Sequence, residues 1–420
     1  MKDQILKLIY RILRSYARKV ILRHKPFVVA ITGSVGKTTT KDAVAQVMKD
    51  AFPNQVRATA GNLNAEIGIP LTILGYTSAP SKYLLPFLLI PAWFRTFAAM
   101  YPKYLVLEMG VEHKGDIEYF GTIVTPDIGI ITAAEPAHTA NFSAVSEMQA
   151  EKTNLAKIIK TGGPLIYNAD DKYLAKTKFK NAVSYSIKTE KADCSANNIK
   201  LSEDGMNFDI SYQKDKVETK SRLIGEHLIY ADLAAFCLGR HFDISGEKIA
   251  LSLEKRLPAR GRMNLLKGKN GTLIIDDTYN SNPASARAAL KTLHDIKYTK
   301  GRKVAIIGNM NELGDYEKEG HRLVGECAKG KADLTIFVGP NAEIMAEAFG
   351  SRGEVIKLKN RQSLEKKLDQ IIEPNDLVLV KASQNQNYFE EISKELLEDK
   401  NLAEKVLVRQ EKHWRKKKKT

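Results

Sequence analysis

Thirteen consecutive residues carry the densest chemical pattern in the chain: Val28-Val29-Ala30-Ile31-Thr32-Gly33-Ser34-Val35-Gly36-Lys37-Thr38-Thr39-Thr40. An apolar, β-branched run ends in a turn with two glycines. Gly-Lys-Thr then opens a segment patterned as helix to about Met48. Strand, glycine turn and helix N-terminus in that order make an anion cradle, because backbone N–H groups converge on phosphate oxygens and the helix dipole adds favourable potential. Within it Lys37 is placed for the β/γ-phosphates of a nucleotide and the Thr38 hydroxyl for Mg²⁺. Ile31 stands where the strict G-x-x-x-x-G-K-[ST] pattern has its first glycine.

Other residues with chemical potential lie downstream. Tyr104-Leu105-Val106-Leu107-Glu108 is a buried-strand pattern ending in a carboxylate, and functional groups of open α/β sheets sit at the carboxyl ends of strands. A second apolar run, Asp127–Thr132, leads out towards His138. Behind a phosphate loop, Glu108 and His138 become candidate Mg²⁺ ligands beside Thr38, although Mg²⁺ favours oxygen donors. Lys152 falls in a helical pattern over about Ser146–Lys160.

The elements that must position these groups follow from periodicity. Strands are predicted at Pro164–Asn168, Thr272–Asp277, Lys303–Gly308, Leu334–Gly339 and Leu377–Lys381, with helical segments between them, including Pro283–Leu293. Residues 181–222 alternate as a small antiparallel excursion. The fold class is α/β: a central P-loop ATPase-type parallel sheet domain, then a smaller Rossmann-like α/β domain. Boundaries are expected at 1–25 for a basic amphipathic helix, 26–257 and 258–400 for the two domains, and 401–420 for a basic tail.

Of the 420 residues, 43% are hydrophobic and 27% charged, the composition of a globular protein with a sizeable core. Cys194, Cys237 and Cys327 have no metal-ligand or disulfide spacing, which indicates reduced thiols and a cytoplasmic setting. No apolar run is long enough to span a bilayer, and basic residues interrupt the first 25 positions where a signal peptide would be apolar. The net charge of +16 is concentrated at the two ends. No RRM, KH or helix-turn-helix signature accompanies it, so nucleic acid is not an expected partner. Residues 2–24 place Ile5, Leu8, Ile9, Ile12, Leu13, Tyr16 and Val20 on one helical face, with Lys7, Arg11, Arg14 and Arg18 opposite. Such a helix suits either an anionic membrane surface or the body of the protein. The stretch Tyr83–Phe94 is apolar and broken by Pro86 and Pro91. It suits a lid, a partner surface, an interfacial patch or covered core. The tail Arg415–Lys419 reads as a solvated, poorly ordered terminus.

Taken together, several stretches resemble the Mur ligase family: the Thr32–Thr39 loop, Gly61-Asn62-Leu63-Asn64-Ala65-Glu66-Ile67-Gly68, Glu108-Met109-Gly110, Ala137-His138, Lys152, Gly225-Glu226-His227, Gly261-Arg262-Met263 and Asp276–Pro283. The Gly61–Gly68 loop, Asp276–Pro283 and Gly308–Gly314 resemble its D-alanyl-D-alanine-adding branch. The resemblance runs from about residue 27 to 395. It implies an ATP-dependent amide ligase of cell-wall peptidoglycan assembly, using ATP and Mg²⁺, with a muramoyl-peptide acceptor and D-alanyl-D-alanine as substrates. By the same resemblance Thr32, Gly33, Ser34, Gly36, Lys37, Thr38, Thr39, Arg262, Asp277 and Asn280 bind ATP. Thr38, Glu108, His138 and a carbamylated Lys152 hold metal, with Lys37, His138 and Lys152 catalytic. Asn62, Asn64, Glu66, Lys381 and Ser383 would meet the substrates. Leu228 and Ala231 stand where the family has asparagines, and Asn309 where it has aspartate. Only some 27 residues precede the phosphate-loop strand, too few for the family's N-terminal sugar-nucleotide domain. The basic helix and the Pro-interrupted stretch are expected to serve the acceptor or an anionic membrane instead. A ligase for another carboxylate acceptor, or a non-catalytic nucleotide-binding scaffold, are the alternatives.

Overall fold

The computed structural model describes residues 2–418, apart from residues 62, 82, 83, 136–140, 352, 385, 386, 412, 413, 415 and 416, and gives only the backbone of residues 2 and 3. The chain divides into two compact units. The first comprises Met1–Asn198, Phe208–Thr219 and Leu228–Glu254, and the second Ile199–Asn207, Lys220–His227 and Lys255–Thr420.

The first unit opens with helix α1 (Lys2–His24), strand β1 (Phe27–Thr32), α2 (Lys37–Ala51), β2 (Val56–Ala58), α3 (Gly68–Ile73), α4 (Leu85–Arg95) and β3 (Tyr104–Glu108). It continues through α5 (Asp116–Gly121), β4 (Ile128–Ile131), α6 (Val145–Thr153) and β5 (Leu165–Asn168). The β6–β9 strands (Ala182–Ser186, Cys194–Ser202, Gly205–Tyr212, Asp215–Ser221) complete a nine-stranded sheet in the order β2-β3-β1-β4-β5-β6-β7-β8-β9. The polar excursion predicted for 181–222 is therefore the far flank of the main sheet, and its first strand pairs parallel with β5.

β1 lies at the centre of the parallel part because Val28–Thr32 is apolar or β-branched on both faces and buried throughout. Its register sets Ile31 beside Glu108 of β3 and Thr32 beside Ile131 of β4. The carboxyl ends of three adjacent strands thus share one edge, where the chain leaves for its functional loops.

α1 packs on α3 and α4. Ile9, Leu13, Ala17 and Val20 are buried in the same core as Ile69, Leu71, Leu85, Ala92 and Leu105. The three larger α1 side chains contribute about 1.5–3 kcal/mol each. The predicted apolar stripe is split, however. Ile5 and Leu8 are 51% and 56% exposed, because the helix turns its Ile9–Leu13–Val20 edge to the core.

The second unit holds a six-stranded sheet in the order β10-β11-β15-β12-β13-β14. Its strands are β10 (Asn264–Lys267), β11 (Leu273–Asp277), β12 (Lys303–Gly308), β13 (Leu334–Val338), β14 (Glu354–Leu358) and β15 (Leu377–Lys381). All pairings are parallel except β10 with β11. The four buried central strands are those read from apolar runs. The two edge strands, β10 and β14, escaped prediction because their half-exposed sequences carry no continuous apolar signal.

The tail differs from the expected solvated terminus. Ala403 and Leu407 join the core of this unit. Fully buried Glu390 accepts from Arg409 Nε and Nη2 at 3.0 and 2.8 Å and from Lys418 Nζ at 2.8 Å. A buried carboxylate demands compensation, and the basic end supplies it twice. Residues 415, 416 and 419 of that run lie outside the described residues.

Candidate active site

In the first unit the phosphate loop is shaped by close packing against β4. Gly33 has φ +148°, and a Cβ there would come within 2.1 Å of Thr132 Oγ1 and 2.9 Å of the Ala133 nitrogen. Only glycine fits. Gly36, at φ +81°, forms the N-cap of α2, and Lys37 Nζ turns back to donate to the Gly33 carbonyl at 2.6 Å. The loop thus carries a cation beside a helix N-terminus. Thr32 is buried, with its hydroxyl donating to the Met109 carbonyl at 2.9 Å, so it ties the ends of β1 and β3 together. Ser34 is anchored through its N–H to the Ala133 carbonyl, and Thr39 is half-buried in the first turn of α2.

Beside the loop lies Glu108, 1% exposed at the end of β3. Its Oε1 accepts from Thr38 Oγ1 at 3.0 Å and from Asn64 Nδ2 at 2.9 Å. Its Oε2 is buried and has no hydrogen-bond partner among the described residues. An orphaned carboxylate oxygen costs about 1–3 kcal/mol or more, so one next to a hydroxyl and a phosphate cradle fits a hard cation well. Thr38 and Glu108 are the residues that would hold Mg²⁺. His138 and Asn62, also assigned from sequence, lie outside the described residues.

Asn64 is presented by the Gly61–Gly68 loop, which folds tightly on itself: a Cβ on Gly68 would meet the Leu63 carbonyl carbon at 2.2 Å. Glu66, two residues on, is exposed and faces elsewhere, towards Tyr10 and Tyr119. Burial, followed by the Glu66 charge, pushes the Tyr119 hydroxyl up to about 12.

Lys152 on α6 is 1% exposed. Among the described residues no carboxylate pairs with it; its Nζ lies 2.7 Å from the Met148 sulfur and 5.9 Å from the Phe142 ring centre. Burial and then repulsion from Lys37 push it down to about 7, against smaller opposing effects of Glu151 and Asp116. A lysine held there is largely an uncharged nucleophilic amine just above neutral pH. The helix predicted around it ends at Thr153, followed by a separate turn of helix at Leu155–Ile158.

The second unit gathers its own cluster at the carboxyl ends of β11 and β15. Buried Lys381 donates to Asp277 Oδ2 at 2.6 Å and to the Asn280 carbonyl at 3.0 Å. Ser383 Oγ donates to Asn280 Oδ1 at 2.7 Å. The sequence sets Asp277 and Asn280 apart from Lys381 and Ser383 as ATP and substrate residues; the fold joins all four in one network. The Arg262 guanidinium lies 4.3 Å over the Tyr279 ring. Asn282 caps the helix Pro283–Asp295 in a reciprocal box with Ser285, a structural duty at the end of the motif.

Sequence reading missed two supports of this cluster. Arg409 donates to the carbonyls of Thr278 and Tyr279, holding the strand-end turn from behind. Buried His321 accepts from the Met310 N–H at 3.0 Å, and Asn341 donates to Asn309 Oδ1 at 2.7 Å, so the Gly308–Gly314 loop is also fixed. Neither carries a local motif; the Asn309 substitution was the one visible signal.

A phosphate loop at a parallel-sheet edge, a buried Thr–Glu pair beside it, and a second parallel unit with a conjoined Asp–Lys–Asn cluster define a nucleotide-dependent enzyme architecture. Two family descriptions match the chain, the Mur ligase middle domain over residues 31–85 and 88–239 and the Mur ligase glutamate ligase domain over residues 261–384. The chain belongs to the Mur ligase family, as expected from its motifs. It is 30% identical over 385 residues to the UDP-N-acetylmuramoyl-tripeptide--D-alanyl-D-alanine ligase of Mycobacterium tuberculosis (strain CDC 1551 / Oshkosh), covering 85% of this chain and 70% of that protein. The enzyme of the same name from Bacillus subtilis (strain 168) is 29% identical over 401 residues, 94% of this chain and 80% of that one. Among solved structures, MurF ligase from Thermotoga maritima in complex with ADP superposes with a TM-score of 0.78 at 25% identity, covering 94% of this chain and 84% of that chain.

Proposed function

We propose that this protein is an ATP-dependent ligase that joins D-alanyl-D-alanine to the terminal carboxylate of a muramoyl tripeptide in peptidoglycan precursor assembly. The acceptor carboxylate oxygen attacks the γ-phosphorus of ATP, the bond to the β-phosphate oxygen breaks, and ADP leaves. The dipeptide amine then attacks the acyl carbon, loses a proton and expels phosphate. Both steps need charge neutralisation at phosphoryl oxygens more than covalent help. The loop amides from Val35 to Thr38 and the Lys37 ammonium supply it. Mg²⁺, held by Thr38 and Glu108, would neutralise further charge on the transferring group. Lys152, its amine pushed down to about 7 by burial and by Lys37, is suited to carbamylation by CO₂, which converts it to an anionic oxygen ligand. Arg262, Asp277 and Asn280 are assigned to ATP, and Lys381 and Ser383 to the dipeptide, within residues 26–257 and 258–400 as the two working domains.

The observation that carries this reading is the buried Glu108 carboxylate, bonded to Thr38 of the phosphate loop on one oxygen and, among the described residues, without a partner on the other. The test is phosphate release from ATP with UDP-muramoyl-tripeptide, adding or withholding D-alanyl-D-alanine. Release that needs both, with the amide seen by mass spectrometry, supports the assignment. Hydrolysis indifferent to both substrates would overturn it.

The enzyme is further assigned a peripheral position on the cytoplasmic face of an anionic membrane. No described helix is long and apolar enough to cross one. Yet Phe87, Ile90 and Phe94, at helical spacing on α4, are 75%, 69% and 63% exposed. No acidic residue occurs from Tyr76 to Lys103, and adjoining α1 with Lys25 carries eight lysines and arginines against one aspartate. Exposed aromatics beside basic charge suit an anionic interface. Pelleting with phosphatidylglycerol vesicles, weakened by salt and by Phe87→Glu/Phe94→Glu, is the expected result; the same recovery on neutral vesicles refutes it.

A further inference from the structure

A cavity of about 400 Å³ lies between α1, the Gly61–Gly68 loop and α5, within the size range of small-ligand sites. Lys7, Arg11 and Arg14 line it, spaced i, i+4 and i+7 so that they share one face of α1. Three cations stacked over about 10 Å of helix repel one another. Among the described residues none of the three forms an ion pair with a carboxylate of the protein, so no direct pairing offsets the repulsion. Tyr10 and Tyr119 form aromatic walls, with the Arg14 guanidinium 5.6 Å from the Tyr119 ring centre. Among the described residues Glu66 contributes the one carboxylate to the lining.

We propose that this cavity binds a glycosyl diphosphate, the diphosphate against Lys7, Arg11 and Arg14 and the sugar between Tyr10 and Tyr119, with a sugar hydroxyl or amide donating to Glu66. The inference rests on the ligase reading for its physiological ligand, the carrier end of the muramoyl-peptide acceptor. Three donors on one helix face match the several oxygens of a diphosphate. Two phenol rings give a ring-sized apolar wall that inorganic anions do not need. Glu66 selects against a purely anionic ligand and for one with a hydrogen-bond donor next to its charge. The position is right for an acceptor. Glu66 and Asn64 belong to one loop, two residues and at most about 7 Å apart along the chain, and Asn64 donates to the Glu108 carboxylate beside the phosphate loop. A carrier bound here leaves its peptide arm running towards the phosphoryl-transfer centre.

Two sources share this chemistry, a nucleotide-linked and a polyprenyl-linked sugar. The experiment is calorimetric titration of the full chain with UDP-N-acetylmuramic acid, and separately with short-chain prenyl-diphospho-N-acetylmuramic acid in detergent. Saturating Mg-ADP is present throughout, so that the phosphate loop is already filled. Saturable binding of at least one ligand is expected, with Arg11→Ser/Arg14→Ser weakening it about a hundredfold, roughly tenfold for each charge-assisted contact. The preferred carrier is the tighter of the two. Lys7→Ser, on the exposed first turns of α1, is the second variant should the double one fail to fold, with about a tenfold loss. Affinity unchanged in the variants, or absence of saturable binding by the wild type, overturns the proposal. Binding that depends on these residues without any ligation would refute the catalytic reading and leave the site standing. Ligation together with insensitive binding would do the reverse.

Discussion

Replacing Lys152 by methionine should stabilise the protein at neutral and acidic pH while abolishing its ligase activity. The side chain is 1% exposed, so solvent screening hardly relieves its burial, and its amine is pushed from 10.5 to about 7 by burial and by Lys37. Between those two values the unfolded chain binds a proton at this position and the native chain does not. Native stability therefore falls as pH drops from about 10.5 to about 7, and below that the penalty is complete and constant. At 1.36 kcal/mol per pKa unit the full penalty is about 5 kcal/mol. Lys152→Met keeps the length and apolar stem without the charge, and Met148 beside it already presents a thioether. In metal-free, CO₂-depleted buffer the variant should melt higher than the wild type at pH 6–7, with the gap closing towards pH 10. The same lysine should give a carbamate carbon signal by NMR in ¹³C-bicarbonate at pH 8, absent from the variant. A stability gap independent of pH, or a variant less stable than the wild type at pH 6, would refute the argument. The lysine would then be held by an interaction that favours its charge.

Glu108→Gln should move stability and binding in opposite directions. The substitution relieves the charge on a buried carboxylate that has no cationic partner among the described residues, so the melting temperature without metal rises, while the gain in ADP affinity on adding Mg²⁺ falls about tenfold or more, read by calorimetry with and without the cation. Gly33→Ala forces a Cβ into Thr132 and Ala133, and should weaken Mg-ADP binding at least tenfold with β1 intact by circular dichroism. Arg409→Ala removes one of two cations from buried Glu390 and two donors from the Thr278–Tyr279 turn. It should cost about 3 kcal/mol, near the low end for a broken buried pair because Lys418 remains, visible as a lowered urea midpoint.

The parts of this fold legible in the sequence are those whose physics is local. β1 and its loop were readable because a doubly buried parallel strand must be apolar on both faces, and because a backbone that approaches phosphate needs glycine where Gly33 and Gly36 stand. Glu108 was a candidate from its place at the end of a buried strand. That one of its oxygens is held by Thr38 and Asn64, 70 and 44 residues away, follows from the fold alone, and no spacing rule reaches that far. Lys152 shows the same limit more sharply. In sequence it is one lysine among many on a helix with little amphipathic character, and its low proton affinity arises only once Met148, Phe142 and Lys37 are brought round it.

The chain ends illustrate how a charge run can mislead in two directions. Composition made the C-terminal end look like a solvated basic segment and left the N-terminal helix between a membrane surface and the protein body, since periodicity records which residues share a face but not which face has a partner. At the C-terminal end the partner is Glu390, a single buried carboxylate that draws in Arg409 and Lys418 and thereby braces the turn carrying Tyr279 and Asn280. At the N-terminal end no carboxylate among the described residues forms an ion pair with Lys7, Arg11 or Arg14, and the helix spends its apolar edge on the core while holding these cations around a cavity. Neutralisation from within explains the first end as structure. The second retains its charge for something the chain does not itself supply, and the tyrosine walls and Glu66 define what that must be: an anion carried on a polar ring.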